Sequence, residues 1–398
     1  MTEPLDLLDP IHYETVRRPA AEAAPLPNWC YTSTNWYALE VERIFMKVWN
    51  YVGHTSQLPN AGDFFTLEVA GAPIIVITGD DGEVRAFHNS CRHRGSKIAW
   101  GEGNCKALTC PYHTWTYARD GALIATPLIE KDAHICYEDL GLLKVRLERW
   151  HGFLFVNFDD NAPPLAEWLG DLPETCASHS PETMVCTRRK VYEGVKANWK
   201  LHFENFNDSL HIPFVHGGTL NRQNVSGRAR RTHEEFDGQC VVHFTQHKGS
   251  RGLLEGETGF PRIDSLEGRY QEGTWYPCIL PATMMAWTID CMFLFELWPR
   301  GPESVDVAIC SFFPEERTTR PDFEAQAAKY YERLDVILPE DNDAVERQQQ
   351  GLHSPVNAAA RFTHMETLCH ASPWWPGSRC ASRMRCATAR PSSLSSRS

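Results

Sequence analysis

The chain has 398 residues with 42% hydrophobic and 11% aromatic side chains, enough for two domains with their own cores and too apolar for a disordered protein. Its formal net charge of −12 argues against nucleic acid or an anionic membrane as the main partner. No apolar run is long enough to span a bilayer, the N-terminus lacks a signal-peptide layout, and the 14 cysteines follow no regular disulfide spacing, so a cytoplasmic protein with free thiols is expected.

The first part of the chain predicts a helix followed by short strands. Apolar residues at helical spacing predict a helix at about 34–48, with Ser33 or Thr34 as its N-cap. Asp-Gly pairs at 81–82 and 120–121 indicate hairpin turns. Around them the pattern predicts strands at Phe64–Val69, Ile74–Thr78, Val84–His88, Trp115–Tyr117 and Ala122–Ile124.

The part after about residue 165 predicts a mixture of helices and strands. Helices are predicted at Asn198–Phe214 and at Asp322–Leu338, where Pro339 is expected to end the second one. Strands are predicted at Cys240–Gln246, Met292–Leu297 and Val305–Phe312.

The last segment differs from the rest of the chain. From 367 to 398 there is no Asp or Glu, but there are five arginines, eight serines and three cysteines. Such a composition cannot build a core, so the segment is either a disordered tail or the product of a reading frame lost near Cys369.

The first metal-binding pattern consists of two short motifs, C-R-H-R-G at 91–95 and C-P-Y-H at 110–113. Two thiolates and two imidazoles can hold a two-iron cluster, and the imidazoles raise its potential. The same four residues could also hold a structural zinc ion. In either case Gly95 permits a tight turn.

The second pattern is D-S-L-H-I-P-F-V-H at 208–216. Two imidazoles and a carboxylate can hold one iron and leave positions open for dioxygen. His211 and His216 would lie about 140° apart on a straight helix, so Pro213 between them is expected to end or bend the helix and let them converge. Each histidine alone would more simply be a buried or capping residue.

Together the two patterns resemble those of the Rieske non-haem iron oxygenases over about residues 30–366. The resemblance implies an α+β fold, in which a β-rich Rieske [2Fe-2S] domain is inserted into a catalytic domain with a central antiparallel sheet flanked by helices. It places the Rieske domain at 49–165, the catalytic domain at 1–48 and 166–366, and the atypical tail at 367–398.

The resemblance also implies roles for individual residues. Cys91 and Cys110 would bind one iron of the cluster, and His93 and His113 the other. His211, His216 and a third ligand would hold mononuclear Fe(II). Asp208 would link an iron ligand to His113 of a neighbouring subunit.

The third iron ligand is expected in the acidic stretch P-E-D-N-D-A-V-E at 339–346. Matching Val345 and Glu346 to the family's late helix selects Asp341 over Asp343. The alternative is that Asp341 caps the N-terminus of that helix.

The resemblance implies an oxygenase alpha subunit that activates O2 with electrons from NAD(P)H, delivered by a separate reductase with or without a ferredoxin. The residues 198–208 favour an aromatic substrate, with or without a carboxyl group, and the assembly would be a homotrimer or an α3β3 complex. A monooxygenase or N-demethylase acting on a quaternary amine is the alternative within the family. A zinc-stabilised binding protein without catalysis is the alternative outside it.

Overall fold

The computed structural model describes residues 6–19, 22–129, 136–220, 237–354, 361–363, 366 and 369, and the backbone alone of 230–234. Apart from Cys369, the segment 367–398 and the prediction made for it lie outside the described residues. No helix in the described part of the chain combines the length and the apolarity that crossing a membrane requires.

The N-terminal segment forms two short helices, α1 (Trp29–Thr32) and α2 (Thr34–Glu40), and a π-helical turn follows at Val41–Phe45. The predicted N-cap is confirmed, because the Ser33 hydroxyl accepts a hydrogen bond from the Trp36 N–H at 3.0 Å. These elements pack on the hydrophobic core through Trp29, Trp36 and Phe45.

The next part of the chain is β-rich. Within the described residues it forms a seven-stranded antiparallel sheet in the order β1-β10-β9-β4-β3-β2-β5 and a small sheet in the order β6-β7-β8. The strands are β1 (Asn50–His54), β2 (Asp63–Val69), β3 (Ala72–Thr78), β4 (Val84–His88), β5 (Glu102–Asn104), β6 (Leu108–Thr109), β7 (Thr116–Tyr117), β8 (Leu123–Ala125), β9 (Lys144–Trp150) and β10 (Phe153–Asn157).

The second part combines helices with another antiparallel sheet, which in the described chain has seven strands in the order β11-β17-β16-β15-β14-β13-β12. Its elements in chain order are α3 (Leu165–Leu169), α4 (Leu172–Cys176), β11 (Met184–Val195), α5 (Trp199–Asn207), α6 (Ile212–Val215), β12 (Arg230–Glu234), β13 (Cys240–Gln246), β14 (Gly273–Ile279), β15 (Thr283–Trp287), β16 (Met292–Gly301), β17 (Ser304–Pro314), α7 (Glu315–Thr318) and α8 (Phe323–Leu352). Short 3₁₀ turns lie at Pro10–Tyr13, Thr55–Gln57, Glu138–Leu140, Ala177–His179, Pro181–Thr183 and Gly268–Gln271.

Three predicted helices differ from the structure, and the one expected at about 34–48 is α2 followed by a π-helical turn that ends at Phe45. The helix expected to end at Pro339 continues to Leu352 with Pro339 inside it. Burial explains this, because Val345 and Gln349 beyond the proline are buried, and packing outweighs the local preference to stop. The helix expected over 198–214 is split into α5 and α6, with Asp208 in an extended conformation between them.

Helices α5 and α8 pack against each other at the second sheet. The second motif directly follows α5, and the acidic stretch lies within α8. Asn198 caps α5 by accepting a hydrogen bond from the Lys200 N–H at 3.0 Å. The side chain of Gln349 on α8 accepts from the Asn198 N–H at 2.9 Å, so the start of α5 is tied to the end of α8.

Candidate metal centres

Two loops of the same construction hold the Cys-His motifs. In each loop the cysteine N–H donates to the carbonyl five residues later, and the cysteine carbonyl accepts from the N–H four residues later. The distances are 2.8 Å and 2.9 Å in both loops, for Cys91 with Ser96 and Gly95 and for Cys110 with Trp115 and Thr114. The fourth residue after each cysteine has a positive φ, 76° at Gly95 and 57° at Thr114. The tight turn predicted at Gly95 is therefore present, and the second loop makes the same turn without glycine.

The loops place the sulfur ligands inside and the imidazoles outside. Cys91 and Cys110 are buried, whereas His93 is exposed. The rings of His93 and His113 lie 4.6 Å apart, and Trp115 stacks on His93 at 4.7 Å. Two imidazoles at the surface above two buried sulfurs suit a cluster that exchanges electrons through its histidine side.

The surroundings favour the thiolate at Cys110, whereas burial raises the pKa of the Cys91 thiol. Burial raises the pKa of the Cys110 thiol, but hydrogen bonds from the Tyr112 N–H and from Cys91 outweigh it, so the pKa lies below its usual value. The Tyr117 hydroxyl lies 3.2 Å from the Cys91 sulfur. Thiolates are the form that binds iron.

The second motif and the acidic stretch meet at one point. His216 Nε2 lies 2.9 Å from Asp341 Oδ1, and His211 Nε2 lies 3.6 Å from the same oxygen. Ligands about 2.1 Å from a metal at right angles are about 3 Å apart, so these three atoms fit neighbouring positions on one metal ion. A carboxylate and two imidazoles on one side are the donor set of a mononuclear iron with open positions.

The far nitrogen of each imidazole is held by a carboxylate. His211 Nδ1 lies 3.0 Å from Asp208 Oδ2, and His216 Nδ1 lies 2.7 Å from Glu340 Oε2. Both Nε2 atoms therefore face the metal position. Metal-bound histidines are usually oriented in this way by a carboxylate or carbonyl that holds the other ring nitrogen. The sequence reasoning missed Glu340, although its place beside Asp341 in the acidic stretch was a usable signal.

Asp341 is held in its ionised form. Burial raises its pKa, but contacts with His216 outweigh that effect and keep the pKa below its usual value. Asn205, whose role the sequence left open, donates to Asp341 Oδ1 at 2.8 Å. Burial lowers the pKa of His216, but contacts with Asp341 and Glu340 outweigh that effect, so the pKa lies above its usual value.

The two histidines converge for a reason other than the predicted one. His211 is the residue before α6 and His216 the residue after it, so a four-residue helix separates them. Pro213 lies in the first turn of α6, where a missing N–H costs no helical bond, so it does not end or bend the helix there. The break lies earlier, between Asn207 and His211.

Asp341 lies inside α8, so the capping alternative is wrong. Asp343 points away from the two histidines, is largely exposed, and pairs with Arg347 at 2.8 Å. The family match that selected Asp341 over Asp343 therefore agrees with the geometry, although the acidic stretch is in the middle of a helix and not at its head.

The distances between the ligand atoms distinguish the site for a single ion from the site for a cluster. Among the described His, Cys, Asp and Glu residues, one group of at least three has all its ligand atoms within 4.8 Å of one another. This group consists of His211, His216 and Asp341. Neither all four nor any three of the residues Cys91, His93, Cys110 and His113 form such a set. Four ligands of one tetrahedral zinc would lie closer together, so the geometry favours a cluster with two metals over one zinc ion.

A cavity of about 160 Å³ adjoins the His-His-Asp site. Aromatic rings, two arginines and the site itself line it: Phe206, Tyr276, Phe293, Phe295, Arg251, Arg333, His211, His216 and Asp341. The rings form an unbroken group, since Phe206 lies 5.9 Å from Tyr276 and 5.4 Å from Phe295, which in turn lies 6.0 Å from Phe293.

Two family models match the chain. The Rieske [2Fe-2S] domain matches residues 48–144, and the catalytic domain of the ring hydroxylating alpha subunit matches residues 174–381. The second match alone spans more than half of the chain.

Curated relatives match over most of the chain. The carnitine monooxygenase oxygenase subunit of Escherichia coli (strain K12) is 30% identical over 344 residues, covering 84% of this chain and 85% of the relative. The glycine betaine monooxygenase oxygenase subunit of Chromohalobacter salexigens is 28% identical, covering 83% and 79%. The chloroplastic choline monooxygenase of Spinacia oleracea is 25% identical, covering 91% and 79%.

Solved structures share the fold. A quaternary ammonium Rieske monooxygenase superposes with a TM-score of 0.76 at 24% identity, covering 90% of this chain and 95% of the other. A naphthalene 1,2-dioxygenase superposes with a TM-score of 0.72 at 19% identity, covering 94% and 97%. At these identities the likeness concerns the fold alone.

Proposed function

The chain belongs to the ring hydroxylating alpha subunits of the Rieske non-haem iron oxygenases, and from this membership we propose that it oxygenates a small quaternary ammonium compound. It is an oxidoreductase whose cofactors are a Rieske [2Fe-2S] cluster and a mononuclear iron. It requires dioxygen and a reductase partner. The alternative of a zinc-stabilised protein without catalysis is thereby excluded.

We assign the ligands from the geometry of the described residues. Cys91 and Cys110 would bind one iron of the cluster, with His93 and His113 on the other. The Nε2 atoms of His211 and His216 and Oδ1 of Asp341 would bind the mononuclear iron. The distances of 2.9 Å and 3.6 Å between these atoms support the second assignment.

The cavity carries the proposal on the substrate. Its volume of about 160 Å³ suits a molecule near the size of benzene, since an apolar cavity of about 150 Å³ holds that compound. Ring faces attract ammonium groups, and four rings line this cavity. The relatives are named for carnitine, choline and glycine betaine, which supports the same substrate class.

An aromatic substrate is the second candidate. Asp208 favours it, because the resemblance to the family implies that members acting on quaternary amines tend to carry glutamate where this chain has aspartate. A small aromatic acid would fit the cavity volume, whereas a polycyclic hydrocarbon would not. Dihydroxylation of such a ring belongs to this second candidate.

The protein side chains prepare the site for the reaction. His211, His216 and Asp341 would hold the iron, which would supply the chemistry of dioxygen activation at this site. Asp208 and Glu340 orient the two imidazoles, and Asn205 fixes the Asp341 carboxylate. The ring-lined wall excludes water and holds the substrate beside the open side of the triad.

The electron route is proposed to cross between subunits of a homotrimer or an α3β3 assembly, with NAD(P)H oxidised by the reductase and a ferredoxin as an optional carrier. Trp100 and Tyr112 support this, because they are large apolar side chains exposed beside the cluster loops, at 57% and 59%. We further propose a Rieske domain at 49–165, a catalytic domain at 1–48 and 166–366, and a cytoplasmic location.

A single-turnover experiment tests the proposed function. Reduced protein would receive ¹⁸O-labelled dioxygen with a panel of quaternary amines, aromatic acids and neutral arenes, and products would be identified by mass spectrometry. One labelled oxygen in a quaternary amine product, or formaldehyde from a lost methyl group, is expected. Two labelled oxygens in an aromatic product would replace the proposal by the second candidate.

A further inference from the structure

Two arginines of the cavity have N–H groups without acceptors. Arg333 on α8 is buried, with 4% of its surface exposed, and lines the cavity together with Arg251, which follows β13. Among the residues that the structure describes, nothing accepts a hydrogen bond from Nε and Nη1 of Arg333 or from Nε of Arg251. Buried guanidinium N–H groups are strong donors, and leaving them unpaired costs several kcal/mol.

Among the residues that the structure describes, the charges around Arg333 do not balance. Burial lowers the pKa of Arg333 to about 10, so the group stays protonated at neutral pH. The positive charge of Arg251 also lowers the pKa of Arg333, whereas the carboxylate of Asp341 raises it. Because Asp341 already serves His216 and the metal position, it cannot neutralise both arginines.

The stacking of Arg333 does not satisfy its donors. Its guanidinium lies over the Phe293 ring at 4.9 Å from the ring centre. A cation over a ring uses the flat face of the guanidinium, whereas the N–H bonds lie in its plane. The N–H groups of Nε and Nη1, which lie on different edges of the guanidinium, therefore remain available, and each can donate a charge-assisted hydrogen bond to a carboxylate oxygen.

The spacing along α8 separates the Arg333 guanidinium from the iron position. Arg333, Ile337 and Asp341 follow at four-residue spacing, so they form one stripe of α8 along the cavity. Eight residues correspond to about 12 Å of helix axis. The aromatic group of Phe206, Phe293 and Phe295 lies along the same cavity.

We propose that Arg333, together with Arg251, binds a carboxylate of the substrate at the end of the cavity opposite the iron. The inference rests on the proposed function and narrows it. The preferred substrate is a zwitterion, whose ammonium group lies against the rings near the iron and whose carboxylate pairs with the arginines. A purely cationic amine such as choline is disfavoured, because its positive charge would be repelled by the positive charges of both arginines.

A two-by-two comparison of substrates separates this inference from the function on which it rests. One pair is trimethylammonioacetate and its methyl ester, and the other is benzoate and benzamide. Which pair yields product tests the substrate class. Within the productive pair, the ratio of kcat/KM for the acid over its neutral partner tests the carboxylate site.

The wild-type protein is expected to prefer the acid by at least about 100-fold, as a buried charge pair would give. Arg333→Gln should reduce that ratio to a few-fold, mainly through KM, and Arg251→Gln should reduce it in part. Arg347→Gln is the matched control, because Arg347 lies on the same helix, pairs with Asp343 and is exposed.

Cluster absorbance and bound iron report whether each variant is folded. If Arg333→Gln does not fold, Arg251→Gln and the wild-type ratio still decide the question. An acid-to-neutral ratio near one in the wild-type protein, or an unchanged ratio in both folded variants, would overturn the carboxylate site without affecting the substrate class.

Discussion

Two adjacent carboxylates on α8 hold the two nitrogens of one imidazole. Glu340 lies 2.7 Å from Nδ1 of His216, and Asp341 lies 2.9 Å from Nε2. Successive helical residues point about 100° apart, so neighbouring side chains can reach opposite sides of a ring placed between them. Glu340 thereby fixes the orientation of His216, and Asp341 shares the metal position with it.

Replacement of Asp341 tests the iron site directly. Asp341→Ala removes one of three proposed ligands, so we expect the mononuclear iron to be lost and turnover to fall by at least about 100-fold, while the brown cluster remains. Iron content by metal analysis, together with visible absorbance, measures both centres. Asp343→Ala is the control, because Asp343 is exposed two residues away. Retained iron in Asp341→Ala with loss in Asp343→Ala would reverse the assignment.

Glu204 on α5 gives the fold a predictable pH dependence. Burial raises its pKa from 4.5 to about 7, although the Tyr31 hydroxyl donates to it at 2.7 Å. Between these two values the folded protein keeps a proton that the unfolded chain releases, so stability falls as pH rises from about 4.5 to 7. The pKa difference corresponds to on the order of 3 kcal/mol of unfolding free energy. The adjoining cavity reduces this value.

Glu204→Gln removes the titrating carboxyl group, and the amide oxygen of the variant can still accept the hydrogen bond from the Tyr31 hydroxyl. We expect its melting temperature to exceed that of the wild-type protein by several degrees at pH 8 and to differ little at pH 5. Glu42→Gln, an exposed change in the N-terminal segment, serves as the control. An equal difference between variant and wild type at both pH values would show that the Glu204 pKa is not raised.

The sequence predicted the candidate ligands but not their supporting partners. Metal-binding cysteines and histidines lie at fixed spacings within short motifs. Four of the candidate ligands could therefore be predicted from the sequence alone: Cys91, Cys110, His211 and His216. Arg251 and Arg333 could not, because an arginine acquires its role from the cavity that surrounds it. That cavity forms only when β13, α5 and α8 pack together.

At the scale of elements, α8 shows how packing extends a helix beyond a local stop. Pro339 lacks an N–H and its ring crowds the preceding turn, which normally ends or bends a helix. Here the helix continues because Val345 and Gln349 are buried after the proline and Ile337 and Leu338 before it. A bend at Pro339 would direct the two following carboxylates towards α6.

Pro339→Ala separates stability from site geometry. Pro339 is expected to bend α8 just before Glu340 and Asp341, so the variant should have a more stable helix, by about 1–3 kcal/mol, and an iron affinity lower by about 10-fold. Thermal unfolding and iron titration of metal-free protein measure the two effects. Pro213→Ala should change both little, because Pro213 lies in the first turn of α6. Unchanged iron affinity in Pro339→Ala would show that the proline does not position the carboxylates.

Strands were predicted more accurately than helix ends. Asp-Gly turns and alternating side chains are local signals, and Val84–His88 and Cys240–Gln246 are confirmed to the residue. The ends of the helices at 198–214 and 322–338 depend on which distant surfaces bury them. The pairing of β11 with β17 in the second sheet, more than a hundred residues apart, likewise has no local signal.

At the scale of the whole molecule, both centres lie near apolar surface. Trp100 and Tyr112 are exposed beside the cluster loops, and Phe214 on α6 is 79% exposed beside the iron site. Among the described residues, the hydrogen bonds of Asp208 go to Leu210 and His211, which is compatible with the expected link to His113 of another subunit. Exposed apolar side chains at both centres suit two faces that meet in an assembly.

Mixed assemblies test whether electrons cross between subunits. Cys91→Ser removes a cluster ligand and Asp341→Ala removes an iron ligand, so each variant alone should be inactive. Co-expressed with different affinity tags and purified as mixed oligomers, they should regain turnover well above either variant alone, because an intact cluster then faces an intact iron site of its neighbour. Mixed oligomers that contain both centres but stay as inactive as the single variants would place the electron route within one chain, since neither chain then holds both centres.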